Sequence, residues 1–247
     1  IHHAWHGIPG ANVERMFGQP FNPHLYGLMS SPADHIHWSG GPWQESRGNA
    51  PHHSMAGGGH AHSGAMVYLG DNWPDEYRDN LFTCNIHGAR VNRDRIVAKG
   101  SGVVLKHDKD VLFANDPWFR GLALQYGPDG GVYVADWSDT DECHDYIDIH
   151  RENGRIYKVT YGDVKAKAVD LTTLSDLELV KLHRVKNEWH VRHARRLLTE
   201  RAGTKALNAE AIQALGAQLD DRADVVNRLR ALWTLHACSA LKSEKLA

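Results

Sequence analysis

Apolar and polar residues alternate over short runs as far as about residue 161, and after that apolar residues recur every three to four positions. The two patterns predict strands first and helices second, because side chains alternate across a strand and line one face of a helix at i, i+3, i+4 and i+7. The strand runs are Ala65–Leu69, Leu81–Ile86, Arg90–Val97, Val103–Leu105, Val111–Ala114, Leu122–Tyr126, Val132–Trp137 and Arg155–Tyr161. Turn-forming sequences separate them, among them Gly70-Asp71-Asn72, Pro128-Asp129-Gly130 and Glu152-Asn153-Gly154. The predicted helices are Ser175–Val185, Glu188–Ala202, Asn208–Leu219 and Arg222–Cys238.

Repeats suggest how these elements assemble. The segments starting at Ser63 and at Arg120 both run strand, acidic-glycine turn, strand, longer loop, strand, which is the grammar of successive propeller blades. Val191-x-x-Ala194-x-x-Leu197-Leu198 matches Val226-x-x-Leu229-x-x-Leu232-Trp233 at an offset of 35, as paired helices of a HEAT-like array would. The expected fold class is therefore multidomain, β then α: an incomplete β-propeller over residues 1–162, then truncated α-helical HEAT-like solenoid repeats over 163–247. At roughly 40–50 residues per blade the first region supplies three or four blades. The chain opens on Ile1 and stops within a helical pattern, so it reads as a piece of a longer protein.

Composition sharpens the boundary. Of 23 glycines only Gly203 and Gly216 lie beyond Gly162, and the last of the 9 prolines is Pro128. A formal charge of -2 offers no bulk attraction for nucleic acid. No run approaches the roughly 18 apolar residues of a membrane span, and no signal peptide opens the chain. Cys84, Cys143 and Cys238 stand too far apart for a C-x-x-C site, and no C-x-x-C-H haem motif is present.

The unusual feature is 18 histidines. In Gly57-Gly58-Gly59-His60-Ala61-His62, an extended backbone puts His60 and His62 on one face, where they would chelate a metal or bind an anionic or quinoid ligand. The preceding glycines allow a ligand to approach the backbone closely. Asp34-His35-Ile36-His37 repeats the spacing and makes His35 and His37 candidate metal ligands. His87, after a strand, is a candidate general base, and Arg90 is suited to bidentate recognition of a carboxylate or quinone oxygen. Asp116 and Arg120 pair structurally or turn charge toward a pocket, and Asp136 ends a strand where a carboxylate fixes a loop or binds calcium. Against each of these stands a structural role in capping strands and packing loops.

The runs Gly58–Pro74, Asn85–Gly88 with Arg90-Val91-Asn92, Phe113–Gly121 and Trp189–Leu198 together resemble the large membrane-bound dehydrogenases of planctomycete-type bacteria. That resemblance implies a glucose/sorbosone-dehydrogenase-like propeller joined to HEAT-like repeats, oxidising a sugar or alcohol with pyrroloquinoline quinone and calcium. It implies His87, His60 and His62 as the source of the base. It also implies Arg90, Asp136 and Arg120 around the cofactor, a cytochrome c domain or partner, and a periplasmic or membrane-associated setting. The helical repeats would offer a surface to a protein partner. Two other functions fit the residues: a non-enzymatic module binding protein or polysaccharide, and a metal-dependent hydrolase or lyase built on the H-x-H pairs.

Overall fold

The computed structural model describes residues 3–4, 12–13, 28–29, 33–34, 57–58, 61–100, 102–140, 149–150, 152–165 and 168–242. Contacts divide the chain into two units: residues 1–68, 76–125 and 132–159, and residues 69–75, 126–131 and 160–247.

The first unit begins with four two-residue strands, β1 (His3–Ala4), β2 (Asn12–Val13), β3 (Leu28–Met29) and β4 (Ala33–Asp34), paired β1 with β4 and β2 with β3. Its main element is an antiparallel sheet in sequence order: β5 (His62–Val67), β6 (Asn80–Asn85), β7 (Arg90–Lys99) and β8 (Gly102–Phe113). A smaller sheet holds β9 (Gly121–Tyr126), β10 (Val132–Asp136) and β11 (Arg155–Val159), with β10 central. Alternation along β6 buries Asn80, Phe82 and Cys84, and β10 likewise buries Val132 and Val134, so the apolar period of two becomes one buried face. The two sheets meet at glycines. A Cβ on Gly64, in the bulge of β5, would lie 2.7 Å from Leu122 O, and one on Gly121 would lie 2.9 Å from Cys84 Sγ. The Ser63 hydroxyl donates to Gly121 O at 2.8 Å across the same junction.

The second unit carries α1 (Asp176–Lys181), a 3-10 turn (Leu182–Arg184), α2 (Glu188–Ala202), α3 (Ala209–Asp220) and α4 (Val225–Ala237). Each helix starts at a side-chain cap: Ser175, in a capping box with Glu178, then Asn187, Asn208 and Asp224. Leu179, Val180, Ala194, Leu198, Ala211, Leu215, Ala231 and Leu235 form one core to which all four helices contribute. Loops 69–75 and 126–131 belong to this unit, and Asn187 holds both, its Nδ2 donating to Asp71 Oδ1 (3.0 Å), Gly127 O (3.1 Å) and Pro128 O (3.2 Å).

This architecture corrects the propeller–solenoid expectation. The described residues contain one four-stranded and one three-stranded sheet and no closed propeller. Strand–turn–strand spacing is common to every antiparallel meander, and only radial repetition around an axis makes a propeller. β7 and β8 are also unlike the separate runs read from the pattern: Val103–Leu105 and Val111–Ala114 merge into one strand of 12 residues. The helices do not form HEAT-like repeats. In a solenoid each repeat packs only on its neighbours, whereas here α1, α2, α3 and α4 share a single core. The offset of 35 reflects two amphipathic helices facing that one core.

Candidate functional site

The inner half of β7 carries Arg90, Asn92 and Asp94, all buried, and around them the first unit builds a polar core. Asn92 is its centre. Its Nδ2 donates to Gly57 O at 2.9 Å and to Asp110 Oδ1 at 2.7 Å. Carbonyl and carboxylate oxygens only accept, so the Asn92 amide has one orientation and turns its Oδ1 toward Asn85 Nδ2 (3.0 Å) and His62 Nε2 (3.0 Å). His62 must therefore donate from Nε2, which puts the lone pair of its neutral ring on Nδ1. Asn85 adds contacts from its Nδ2 to Gly57 O (2.9 Å) and Gly58 O (3.2 Å), and its Oδ1 accepts from Gly88 N at 2.7 Å.

Arg90 closes the cluster from below. Its guanidinium is fully buried, pairs with Asp110 at 3.0 Å, donates Nε to Gly88 O at 3.1 Å and lies 4.9 Å from the centre of the Phe113 ring. A Cβ on Gly58 would fall 2.1 Å from Arg90 Cζ. The glycines do permit a close approach, and its partner is Arg90 of the same chain. Burial raises the Asp110 carboxyl above its usual range, against the hydrogen bonds from Asn92 and Arg90 that lower it. His107 lies 3.7 Å from Asp110 and 3.5 Å from Asp94.

A second cluster surrounds Asp136. Its Oδ1 accepts from Arg120 N (2.7 Å) and Ser138 N (2.8 Å), its Oδ2 accepts from Arg155 Nε (2.8 Å), and Arg155 Nη2 lies in ion-pair contact 2.7 Å from Oδ2. Arg155 also pairs with Asp116 at 2.8 Å. The buried Arg120 donates to the carbonyls of Pro117, Phe119 and Thr140 at 2.8, 2.8 and 2.7 Å. Burial, with the charge of Asp136, pushes the Cys84 thiol up to about 12, which makes it unreactive.

Of the residues singled out from sequence, His62, Arg90, Asp136 and Arg120 thus sit in two polar clusters of one unit, and His87 is buried in the turn between β6 and β7. His60, His35 and His37 lie outside the described residues. Among the described residues no three His, Cys, Asp or Glu side chains are grouped to hold a metal. Nor do the expected cofactor ligands fit a quinone with calcium: both oxygens of Asp136 are taken by protein donors, and Arg90 and Arg120 are spent on protein acceptors.

Sequence reading missed Asn92, Asp110, Asp139 and His150. Arg90-x-Asn92-x-Asp94 did carry a signal, three polar residues on one face of a strand that ends up buried. Nothing local marks Asp110, which joins the cluster across the bulge between β7 and β8.

No curated protein and no solved structure matches this chain. A family profile does match, over residues 40–163, which contain both polar clusters and all seven strands of the two larger sheets. By that match the chain belongs to the family described as a domain of unknown function, DUF7133.

Proposed function

We propose that His62 and the polar core around Asn92 form the substrate end of a sugar- or alcohol-oxidising protein, of the dehydrogenase type that the chain resembles, with His62 taking the hydroxyl proton. The observation that supports this is the fixed tautomer. Asn92 orients Nε2–H inward at 3.0 Å, which leaves the lone pair of the neutral ring on Nδ1, a buried atom that a substrate hydroxyl reaches by entering the cluster. Asp110 backs Asn92 at 2.7 Å and sets that orientation from a partly buried position. His87 is a second candidate base in the adjoining turn. The resemblance supports a cytochrome c domain or partner as electron acceptor and a periplasmic or membrane-associated setting. Arg90, Arg120 and Asp136 have structural work instead of cofactor contacts, so no step here runs through pyrroloquinoline quinone.

The test is oxidation of a sugar and alcohol panel by the intact protein, followed with an artificial electron acceptor, with and without added quinone and calcium. Turnover is expected to fall about 10²-fold or more in His62→Gln, the range removed with a general base. Turnover unchanged in that variant, or none with any substrate, overturns the reading. Absence of turnover would favour the non-enzymatic binding module, which the saturation of Asn85, Arg90 and Asn92 by protein partners also supports.

A further inference from the structure

On the other sheet of the first unit, the turn that follows β10 is held in a conformation its residues would not choose alone. Ser138 has φ of 59°, in the left-handed region that costs a non-glycine residue energy. Five hydrogen bonds overrule that cost: Trp137 N to Arg120 O (2.9 Å), Ser138 N to Asp136 Oδ1 (2.8 Å), Asp139 N to Trp118 O (3.0 Å), Thr140 N to Asp139 Oδ1 (2.8 Å) and Arg120 Nη2 to Thr140 O (2.7 Å). The product is a fixed, buried Asp139 carboxylate, its side chain 3% exposed, directed at His150.

His150 meets it twice. Its backbone N donates to Asp139 Oδ2 at 3.1 Å, and its ring Nδ1 lies 3.2 Å from Oδ1. A carboxylate accepts only, so Nδ1 bears the hydrogen and the neutral ring keeps its lone pair on Nε2. The His150 side chain is 37% exposed, and Nε2 has no partner among the described residues. Beside it stands the half-buried indole of Trp118, with ring centres 4.8 Å apart, and Asp116, two residues before Trp118, pairs with Arg155 at 2.8 Å.

We propose that Trp118, Asp139 and His150 form a second ligand site in this family, one that takes a sugar. The ring's C–H face covers the indole, and a sugar hydroxyl donates to His150 Nε2. A strong, oriented acceptor next to a flat apolar surface suits a molecule that is apolar on one face and hydroxylated at its edge. The holding of Asp139 by strained backbone accounts for strain that no strand pairing requires. This site is independent of His62, which belongs to the other sheet.

The experiment is binding of D-glucose, D-galactose and N-acetylglucosamine, with glycerol as a hydroxylated control lacking a ring, followed by ligand-observed NMR and calorimetry at pH 8. All measurements are made on the His62→Gln protein, which lacks the base proposed above and so leaves the sugar unoxidised, and binding that His150→Gln or Trp118→Phe weakens is assigned to this site. At least one sugar is expected to bind there, and glycerol is not. His150→Gln, whose amide can still reach Asp139, and Trp118→Phe are each expected to weaken binding about tenfold, the loss of roughly one hydrogen bond or one ring contact. No sugar bound, or binding unchanged in both variants, overturns the proposal. Ring nitrogen NMR of the same protein supplies a check free of any substitution at the site: the hydrogen is expected on Nδ1 of His150, and a hydrogen on Nε2 in the neutral ring would equally overturn it.

Discussion

At Gly58 the backbone passes so close to the Arg90 guanidinium that the missing side chain is itself a structural component. Its φ of 68° would strain any other residue, and a Cβ would overlap Arg90 Cζ at 2.1 Å. Gly58→Ala should therefore cost about 2–4 kcal/mol, the sum of left-handed strain and a displaced buried cation. Denaturant unfolding measures this, and a loss under about 1 kcal/mol, the size of a solvent-exposed glycine effect, would show that Arg90 moves aside freely. Gly88 is held in the same way, since its Cβ would fall 2.0 Å from Gly58 O. The three adjacent glycines are conspicuous in the sequence. That their neighbour is Arg90, some thirty positions away, depends on a contact that no local pattern encodes.

At the scale of elements, helix starts and strand alternation were the most legible features. The four helices fall within or beside the predicted segments, and the first opens on a capping box of Ser175 with Glu178. Asn187 does more than its position at a helix start suggests. Besides accepting from Trp189 N at 3.0 Å through its Oδ1, it gathers the loops 69–75 and 126–131 into the helical unit through its Nδ2. Asn187→Ala should lower the stability of that unit by about 2 kcal/mol, beyond the ~1 kcal/mol of a lost cap, because the hydrogen bonds that tie Asp71, Gly127 and Pro128 to the helix start are lost as well. Asn187→Ser, which keeps the cap and cannot span the loops, should recover about half of the loss in thermal unfolding. Full recovery would mean that the loops are held by other contacts, such as Glu188 N to Leu69 O at 3.0 Å.

The whole molecule inherits a pH dependence from one buried imidazole. His183 lies under α4, with Thr234 Oγ1 3.4 Å from its Nε2, and its pKa is driven down from 6.5 to about 4. Burial is the main cause; the charges of Arg195 and Arg230 add to it and Gln218 opposes it. The unfolded chain takes up this proton below pH 6.5, whereas the folded chain resists until about pH 4. Stability is therefore fully present above pH 6.5 and falls progressively as pH drops to about 4, by up to about 3 kcal/mol. The carboxylates held low in the same unit, Asp176 and Asp224, lose their contribution only in more acidic solution. Equilibrium unfolding of wild type and His183→Gln across pH 4–7 distinguishes the two, and equal slopes in that interval would remove His183 as the cause. No helix among the described residues is long and apolar enough to cross a membrane.

The sequence by itself determined which stretches become strands and helices, because apolar period and capping chemistry act over a few neighbouring residues. It also marked the glycine–histidine run and Arg90 as candidates for a site. Tertiary structure alone decided that the strands form two short sheets instead of blades, and that the helices share one core instead of stacking. It alone decided the partners of the polar groups, since Asn92 meets Gly57 across 35 residues and Asp110 across 18. The physical reason is range. A period describes which side of an element is buried, while the pairing of a buried amide, guanidinium or carboxylate is set by whatever distant group the folded chain brings within about 3 Å.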